Sequence, residues 1–205
     1  MTLRGSAAIF LLAGAWLGCA SGPAPRDHFY RLTLDAPESR AAPILSGTLE
    51  VEHLRVEAVA QGRRILYRET GPVEEIAQHA YHQWANPPSV MLQDAMVEYF
   101  RAANVAETVV TPAVRIESDH LVSGRIVRLE RLLGAERAEV VIELELILAR
   151  SKGHRLRWIE TYRAQQAASG KSVGDSVAAF EAAMEAILAR FVADIEALGS
   201  ASNGS

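Results

Sequence analysis

The most regular alternation of apolar and polar residues lies between residues 139 and 148. Aliphatic residues occupy every second position and glutamates occupy three of the alternate ones: Val140, Ile142, Leu144, Leu146 and Leu148 against Glu139, Glu143 and Glu145. Successive side chains of a β-strand point to opposite faces of a sheet, so all five aliphatic residues share one face. The pattern predicts a half-buried strand with a solvated glutamate face.

The residues that follow predict a hairpin. The second strand must bring its apolar residues to the same face, because a slip of one residue would turn every side chain over. A three-residue loop at 151–153 meets this condition with the pairs Leu146–Trp158 and Ile142–Tyr162. A two-residue loop would instead set Leu148 against Arg157. We therefore predict the three-residue loop, with Gly153 left-handed. Glu160 is the one charge on the apolar side, which indicates an edge strand or an outside partner.

Six other segments carry strand signals, and two carry helix signals. The strand signals lie at residues 29–34, 49–56, 64–68, 73–81, 108–114 and 121–133. A helix is predicted to run from Pro87 through Ala103, with apolar residues at helical spacing: Val90, Met91, Leu92, Ala95, Met96, Tyr99 and Phe100. Asn86 is the predicted N-cap, and Pro87 suits the first helical position, where its missing N–H costs nothing.

A second, longer helix is predicted near the end of the chain. Ser172 and Asp175 have the spacing of a capping box at its start, and Gly199 is predicted to end it. Its apolar stripe alternates steps of four and three: Val173, Val177, Phe180, Met184, Ile187, Phe191, Ile195 and Leu198. Such a stripe suits a coiled-coil homo-oligomer or the chain's own sheet. Packing on the sheet is favoured, because a largely antiparallel sheet needs one face covered.

Together these elements predict an α+β fold, a two-layer α/β sandwich with a mostly antiparallel sheet and two main helices packed on one of its faces. Residues 28–199 are predicted to form a single domain, and residues 200–205 a disordered tail. No internal repeat divides the chain of 205 residues.

The N-terminus predicts export. Arg4 precedes an apolar run that is too short to span a bilayer, so residues 1–18 are predicted to be a signal peptide. The sole cysteine, Cys19, lies where cleavage would expose it, as in bacterial lipoproteins whose cysteine carries acyl chains such as palmitate. The alternative is a secreted protein in which this cysteine is incidental. Residues 19–27 form a Pro/Gly-rich tether. Because Ala20 is not the aspartate that retains lipoproteins at the inner membrane, we expect the periplasmic face of the outer membrane.

Composition and charge exclude several classes of protein. A formal net charge of −4 argues against nucleic-acid binding, which needs a basic face. One cysteine cannot form an internal disulfide or a structural Cys-rich zinc site. The 49% apolar and 22% charged residues are ordinary for a folded domain.

The chain carries no sequence pattern typical of catalysis. It lacks a Gly-rich phosphate loop, a G-x-S-x-G elbow and an H-E-x-x-H motif. His79 and His82 are three residues apart, but they lie in a segment predicted to be extended, so exposed or hydrogen-bonded histidines are favoured over a zinc site. Ser118, Asp119 and His120 are consecutive and cannot form a hydrogen-bonded triad. We expect no enzyme activity, no cofactor and no metal; an exported hydrolase is the least favoured alternative.

A block in the middle of the chain resembles a known family. It reads Y-x-x-W-A-x-P-P, formed by Tyr81, Trp84, Ala85, Pro87 and Pro88, and it leads into the first helix. Weaker matches accompany it: Tyr30-Arg31-Leu32, Ile65-Leu66-Tyr67-Arg68, Leu92, Met96 and Gly124-Arg125-Ile126. Together they resemble the ABC-type transport auxiliary lipoproteins, which include the paraquat-inducible protein C lipoproteins. The resemblance covers most of residues 29–198.

The resemblance implies a function and partners. Such lipoproteins accompany a mammalian-cell-entry (MCE) domain protein and, through it, an inner-membrane ABC permease and ATPase that move lipids or other hydrophobic compounds across the envelope. Tyr81, Trp84, Pro87 and Pro88 are candidate partner-contact or fold-signature residues, and for Trp84 the structural role is favoured. The alternative function is a structural or assembly lipoprotein that supports an outer-membrane protein or complex without a transporter.

Overall fold

The computed structural model describes residues 25–56, 58–69, 71 and 75–202. Within them the chain forms two α-helices and nine β-strands, which confirms the α+β class. The helices are α1, Pro88–Ala102, and α2, Val173–Ser202. The strands are β1 His28–Tyr30, β2 Leu45–Val51, β3 Arg55–Val56, β4 Arg64–Glu69, β5 Ala77–Trp84, β6 Ala106–Val110, β7 His120–Leu133, β8 Ala138–Arg150 and β9 Arg155–Ala167.

The longest strand, β7, is the centre of a single mixed sheet that curls into a half-barrel. One edge of β7 pairs along its whole length with β8, which pairs in turn with β9. The other edge pairs with three short strands in succession: β2, then β3, then β4. β6 lies beyond β2, whereas β5 and β1 lie beyond β4.

This arrangement gives the sheet two distinct ends. The 14 residues of β7 span roughly 45 Å at about 3.3 Å per residue. The "His120 end" comprises β2, β6, the start of β7 and the β8–β9 turn. The "Arg131 end" comprises β1, β4, β5, the last residues of β7 and the β7–β8 turn.

The predicted, mostly antiparallel sheet is wrong. Five of the eight pairings between described strands are parallel, and only β4–β5, β7–β8 and β8–β9 are antiparallel. The strong alternation along residues 139–148 correctly predicted the antiparallel meander of long strands. Short strands such as β2 and β6 have no sequence pattern that identifies their neighbours in the sheet. The chain between β2 and β6 contains α1 and several other elements. Parallel neighbours need long crossover connections of this kind.

The β8–β9 hairpin keeps the predicted faces but not the predicted pairs. Four residues, 151–154, separate the strands, and Gly153 is left-handed as predicted, with φ of 76°. Four residues alone would reverse the faces, but β9 contains one additional residue, Arg157, between those that pair with Leu148 and Ala149. This bulge restores the predicted face. The pairs are therefore Leu148–Trp158 and Leu144–Tyr162, and the predicted pairs Leu146–Trp158 and Ile142–Tyr162 are wrong.

β9 pairs with β8 alone among the described strands, and Glu160 is exposed on it. The edge position that this charge indicated is confirmed.

The first helix begins one residue later than predicted. Pro87 is the N-cap, with φ −53° and ψ 143°, and Pro88 is the first helical residue. A residue that precedes proline is sterically driven out of the helical region, so Pro88 forces Pro87 into an extended conformation. Asn86 is therefore not the N-cap, and the described cap has no side-chain hydrogen bond.

The predicted strand at 29–34 ends at Tyr30 because the next residues bind α2 instead. The backbone N–H of Thr33 donates to Glu181 at 2.8 Å, and that of Asp35 donates to Glu185 at 2.7 Å. These bonds hold the segment along the helix and away from the sheet.

The predicted capping box of α2 is confirmed. The Asp175 N–H donates to Ser172 Oγ at 3.0 Å, and the Ser172 N–H donates to Asp175 Oδ2 at 3.0 Å. The helix passes through Gly199 to Ser202, so the predicted end at Gly199 is wrong and the helix takes in the first residues of the predicted tail. Residues 203–205 lie outside the described part of the chain.

One apolar core joins both helices to the sheet. The rings of Phe100 on α1 and Phe191 on α2 lie 5.9 Å apart, and Phe191 contacts Tyr162 of β9 at 5.7 Å. The central residues of the α2 stripe are buried in this core: Phe180, Met184, Ile187, Phe191 and Ile195. The coiled-coil alternative for α2 is therefore wrong. Neither described helix combines the length and apolar character that a bilayer span requires.

Candidate functional site

Trp84 of the Y-x-x-W-A-x-P-P block is the last residue of β5 and is 1% exposed. Its indole packs edge-on against Phe180 of α2, with the ring centroids 5.3 Å apart. Its backbone N–H donates to the Arg63 carbonyl at 2.7 Å. An indole enclosed in this way fixes the junction between strand and helix to the core. The burial supports a structural role over direct contact with a partner.

The two prolines of the block differ in exposure. Pro88 is buried at the start of α1, whereas Pro87 is exposed at its N-cap. The Pro87 carbonyl accepts hydrogen bonds from the N–H groups of Val90 and Met91, both at 3.0 Å. Both prolines therefore shape the start of the helix.

Tyr81 lies in an irregular part of β5. The pairing of β4 with β5 shifts between Arg64 and Leu66, which leaves residues 79–82 opposite a single residue of β4. A bulge of this kind redirects side chains. Tyr81 is 45% exposed on it.

Five ring side chains from β1, β4 and β5 form a cluster around this bulge. His82 stacks on His28 and on Tyr30, with centroid distances of 5.0 and 5.8 Å. The Tyr30 hydroxyl lies 2.8 Å from His82 Nδ1. His79 contacts Tyr67 at 4.5 Å and meets His82 edge-on at 5.6 Å. The bulge is what brings His79 and His82 together.

A buried arginine lies behind the ring cluster. Arg131 of β7 is 1% exposed. Its Nη1 donates to His79 Nε2 at 2.7 Å and its Nε donates to Ser176 Oγ at 2.8 Å. Its Nη2 donates to the carbonyls of Lys171 and Ser172 at 2.6 and 3.1 Å. All three guanidinium nitrogens are thus hydrogen-bonded, and the arginine ties β7 and β5 to the start of α2.

The electrostatics of the cluster disfavour protonation of His79 and His82. Burial, followed by the positive charge of Arg131 and by His82, lowers the pKa of His79 to about 4. Burial, His28 and Arg131 also lower the pKa of His82, while burial raises the pKa of Tyr30. His79 accepts a hydrogen bond from Arg131 at Nε2, so its own ring proton is on Nδ1.

The cluster does not have the donor set of a metal site in the described part of the chain. Among the described residues, no three His, Cys, Asp or Glu side chains are close enough to hold a metal ion. Nε2 of His79 is already occupied by Arg131. The arrangement therefore acts as a hydrogen-bonded support for the surface above it.

The consecutive Ser118, Asp119 and His120 have separate surroundings. Ser118 Oγ hydrogen-bonds Ser151 Oγ at 2.8 Å, and Asp119 Oδ2 accepts from the Thr48 N–H at 3.0 Å. Both nitrogens of His120 are buried with no hydrogen-bond partner in the described part of the chain. The three side chains therefore form no catalytic triad.

The outer margin of the Arg131 end is apolar and exposed. Phe29 of β1 is 55% exposed, and it pairs in register with Gln83, two positions from Tyr81. The Arg63 guanidinium lies over the Phe29 ring at 5.5 Å. Among the described strands, β1 pairs with β5 alone. We call Phe29, Tyr81 and Arg63 the "aromatic edge".

Sequence reasoning missed Arg131 and Phe29. Arg131 pairs with the fully buried Val140, so it occupies an inward position of β7 beside the apolar inward residues Ile126 and Leu129. A charged residue at an inward strand position is the sequence signal that could have identified Arg131. Phe29 has no such signal, because its exposure follows only from the position of β1 at the edge of the sheet.

Cys19, the signal segment 1–18 and most of the tether 19–27 lie outside the described residues. Lipidation of Cys19 therefore stays a prediction.

Comparison with solved structures identifies the fold. A protein from Xanthomonas campestris has a TM-score of 0.74 and 22% sequence identity, over 87% of this chain and 100% of that one. A second, uncharacterised protein has a TM-score of 0.67 and 15% identity, over 83% of this chain and 99% of that one. At these identities the similarity establishes the fold alone. Among proteins with curated functions, none matches this chain.

Comparison with protein families identifies the relationship that the block predicted. The family described as "ABC-type transport auxiliary lipoprotein component" matches residues 30–195, from the end of β1 to the last turns of α2. A lipoprotein family indicates a location in the bacterial cell envelope. Since the match extends over most of the sequence, the chain belongs to the ABC-type transport auxiliary lipoprotein family.

Proposed function

We propose that this chain is a non-catalytic, lipid-anchored component of an ABC transport system that moves lipids or other hydrophobic compounds between membranes. In this role it docks an MCE-domain protein at the periplasmic face of the outer membrane. Energy comes from the partner ATPase, which the MCE protein and an ABC permease connect to this chain. The family match over residues 30–195 is the observation that carries the proposal.

The aromatic edge supports the docking part of the proposal. Exposed aromatic and arginine side chains are enriched at protein–protein interfaces, where a few of them supply most of the binding energy. β1 also leaves one strand edge without a described partner, and such edges are ready to pair with another chain. Tyr81 is the exposed aromatic residue of the family block, whereas Trp84 is buried. We therefore assign partner contact to Tyr81 and Phe29.

The position of the anchor fits this assignment. Cys19 precedes His28, the first residue of β1, by nine positions. At about 3.5 Å per residue, this tether reaches roughly 30 Å at most. A lipidated Cys19 therefore keeps the Arg131 end, and the aromatic edge with it, close to the membrane surface.

The test is co-purification of the tagged full-length protein from native membranes, with the partners identified by mass spectrometry. Wild-type protein is expected to recover an MCE-domain protein, with or without its permease and ATPase. A Phe29→Ala/Tyr81→Ala variant is expected to recover about tenfold less, because each truncation removes an exposed aromatic contact. Ile159→Ala is the matched control, since Ile159 is an exposed apolar residue of the other edge strand, β9.

Two outcomes contradict parts of the proposal. Recovery of an outer-membrane protein without any transporter component supports the structural or assembly alternative. If the Ile159 control and the aromatic-edge variant lose partner recovery equally, the aromatic edge is not the docking surface. Cys19→Ser separates anchoring from docking: it is expected to move the protein out of the membrane fraction or leave it uncleaved, and normal partitioning contradicts lipidation.

A further inference from the structure

A second polar site lies at the His120 end, away from the aromatic edge. A cavity of about 340 Å³ opens between β2, β6, the β8–β9 hairpin and the last turns of α2. Its polar lining consists of Ser46, Glu107, His120, Arg150 and Arg157. Pockets for small molecules begin at about 300 Å³, so this cavity can admit a small ligand.

His120 is the unusual group on this lining. Its side chain is 2% exposed, yet neither Nδ1 nor Nε2 has a hydrogen-bond partner among the described residues. Buried polar atoms are nearly always hydrogen-bonded, and leaving one unpaired costs about 1–3 kcal/mol. Burial, Arg150 and Arg157 lower the pKa of His120, whereas a contact with the Ser46 backbone that falls outside hydrogen-bond geometry and the charge of Asp119 weakly raise it. A neutral imidazole offers one donor and one acceptor.

Two arginines from neighbouring strands reach the same cavity. Arg150 pairs directly with His120 across β7 and β8. Arg157 is the additional residue of the β9 bulge, so the bulge is what turns it to this side. No ion pair or hydrogen bond of either guanidinium is found in the described part of the chain. Glu107 carries the one acidic side chain of the lining, which leaves the lining with a net charge of +1.

The end of α2 offers a purely structural reason for these arginines. Gly199 lines the cavity and lies in the last turn of the helix, where the dipole is negative. Arginine beside a helix C-terminus is favourable on this ground alone. The helix dipole, however, leaves both nitrogens of His120 without a partner. A ligand satisfies the imidazole and both guanidinium groups at once.

We propose that this cavity binds a phosphate group, either free or as a phosphate ester. Arginine matches phosphate oxygens with paired donors. His120, Arg150 and Arg157 lie on three different strands and line the same cavity. Three groups that each donate hydrogen bonds suit the four oxygens of a phosphate better than the two oxygens of a carboxylate. A protonated phosphate oxygen or an ester hydroxyl also offers the donor that the second imidazole nitrogen needs. This inference is independent of the transport proposal.

Isothermal titration of the full-length protein in maltoside micelles tests the site. Inorganic phosphate and glycerol 3-phosphate are titrated at constant ionic strength, with acetate and chloride as reference anions. Arg150→Gln, Arg157→Gln and His120→Leu are each expected to weaken phosphate binding about tenfold, because each removes a direct hydrogen bond. Arg155→Gln is the matched control, since Arg155 is an exposed arginine of the same hairpin that does not line the cavity.

Each outcome decides the proposal. Binding of inorganic phosphate that the three variants weaken and the control leaves unchanged supports a free-phosphate site. The same pattern with glycerol 3-phosphate alone supports a phosphate-ester ligand, such as a lipid headgroup. Binding no stronger than that of chloride, equal binding of acetate, or equal weakening by Arg155→Gln overturns the proposal. A lower melting temperature in Arg157→Gln without phosphate binding by the wild type assigns the arginines to the α2 terminus instead.

Discussion

The two ends of the sheet differ in how a buried polar side chain is hydrogen-bonded. At the Arg131 end, the guanidinium makes hydrogen bonds from all three of its nitrogens to His79, Ser176 and two backbone carbonyls. At the His120 end, an equally buried imidazole makes none among the described residues. Both residues lie on β7, His120 at its start and Arg131 two positions before its end.

The contrast separates a structural group from a candidate binding group. A buried network in which each polar side chain is hydrogen-bonded holds elements in one arrangement and leaves few donors for a ligand. An unpaired buried group costs stability, so it calls for a compensating partner. Exposed residues beside Arg131 are therefore the better candidates for protein contact, and the cavity beside His120 is the better candidate for a small ligand.

The largest expected effect is at the Arg131 end. Arg131→Met should lower the free energy of unfolding by about 2–4 kcal/mol, because it removes the donor to the buried Ser176 side chain, to His79 and to the Lys171 carbonyl. Urea unfolding followed by circular dichroism measures the loss. Arg125→Met is the control, since Arg125 makes an exposed ion pair with Glu145 and such pairs contribute at most about 1 kcal/mol. Equal losses of unfolding free energy in both variants would show that the hydrogen bonds of Arg131 contribute no more than an exposed ion pair.

A smaller effect is expected from pH. The pKa of His79 is about 4 in the fold, against an ordinary value of 6.5. Between these values the unfolded chain binds more protons than the folded one, so stability falls as the pH drops from 6.5 to 4 and levels off below. Solvent screening of this half-exposed ring reduces the effect to about 1–2 kcal/mol. Urea unfolding at a series of pH values measures the slope.

His79→Gln is the variant that isolates this contribution, because glutamine still accepts a hydrogen bond from Arg131 but does not titrate. Above pH 6.5 the difference in unfolding free energy between wild type and variant should not change with pH. Between pH 6.5 and 4 this difference should grow as the pH falls. Identical slopes in the two proteins would contradict the assignment.

The smallest expected effect has the opposite sign. His120→Leu, in ligand-free buffer, should leave stability unchanged or raise it by up to about 1 kcal/mol, because it replaces two unpaired buried nitrogens with apolar atoms of similar volume. The same urea unfolding measures it beside Arg131→Met. A loss above about 1 kcal/mol would mean that the imidazole makes interactions as favourable as those of a satisfied core residue, and the contrast between the two ends would fail.

The sequence predicted those features whose signals are local. The period-two pattern at residues 139–148 gave β8 and its inward face, and the Ser172–Asp175 spacing gave the start of α2. Gly153 was predicted left-handed because a tight hairpin requires it. The start of α1 was missed by one residue, since the effect of Pro88 on Pro87 outweighs the capping preference of Asn86.

The features that were missed depend on contacts between distant segments. The parallel pairing of β2 with β6 joins residues about sixty positions apart, and nothing in either short strand indicates its neighbour. The ring cluster needs the β5 bulge, which brings His79 to His82, and Arg131 of β7, which fixes His79. The cavity at the His120 end needs five strands and a helix terminus to meet.

The Arg157 bulge links the length of the β8–β9 turn to the chemistry of the cavity. Nine residues separate Leu148 from Trp158: four paired, four in the turn and one in the bulge. A chain with one residue fewer could keep its core pairs and its four-residue turn only by giving up the bulge, and the inward-facing arginine with it. Deletion of the bulge residue would therefore remove one arginine from the cavity lining and leave the core pairs of β8 and β9 in register.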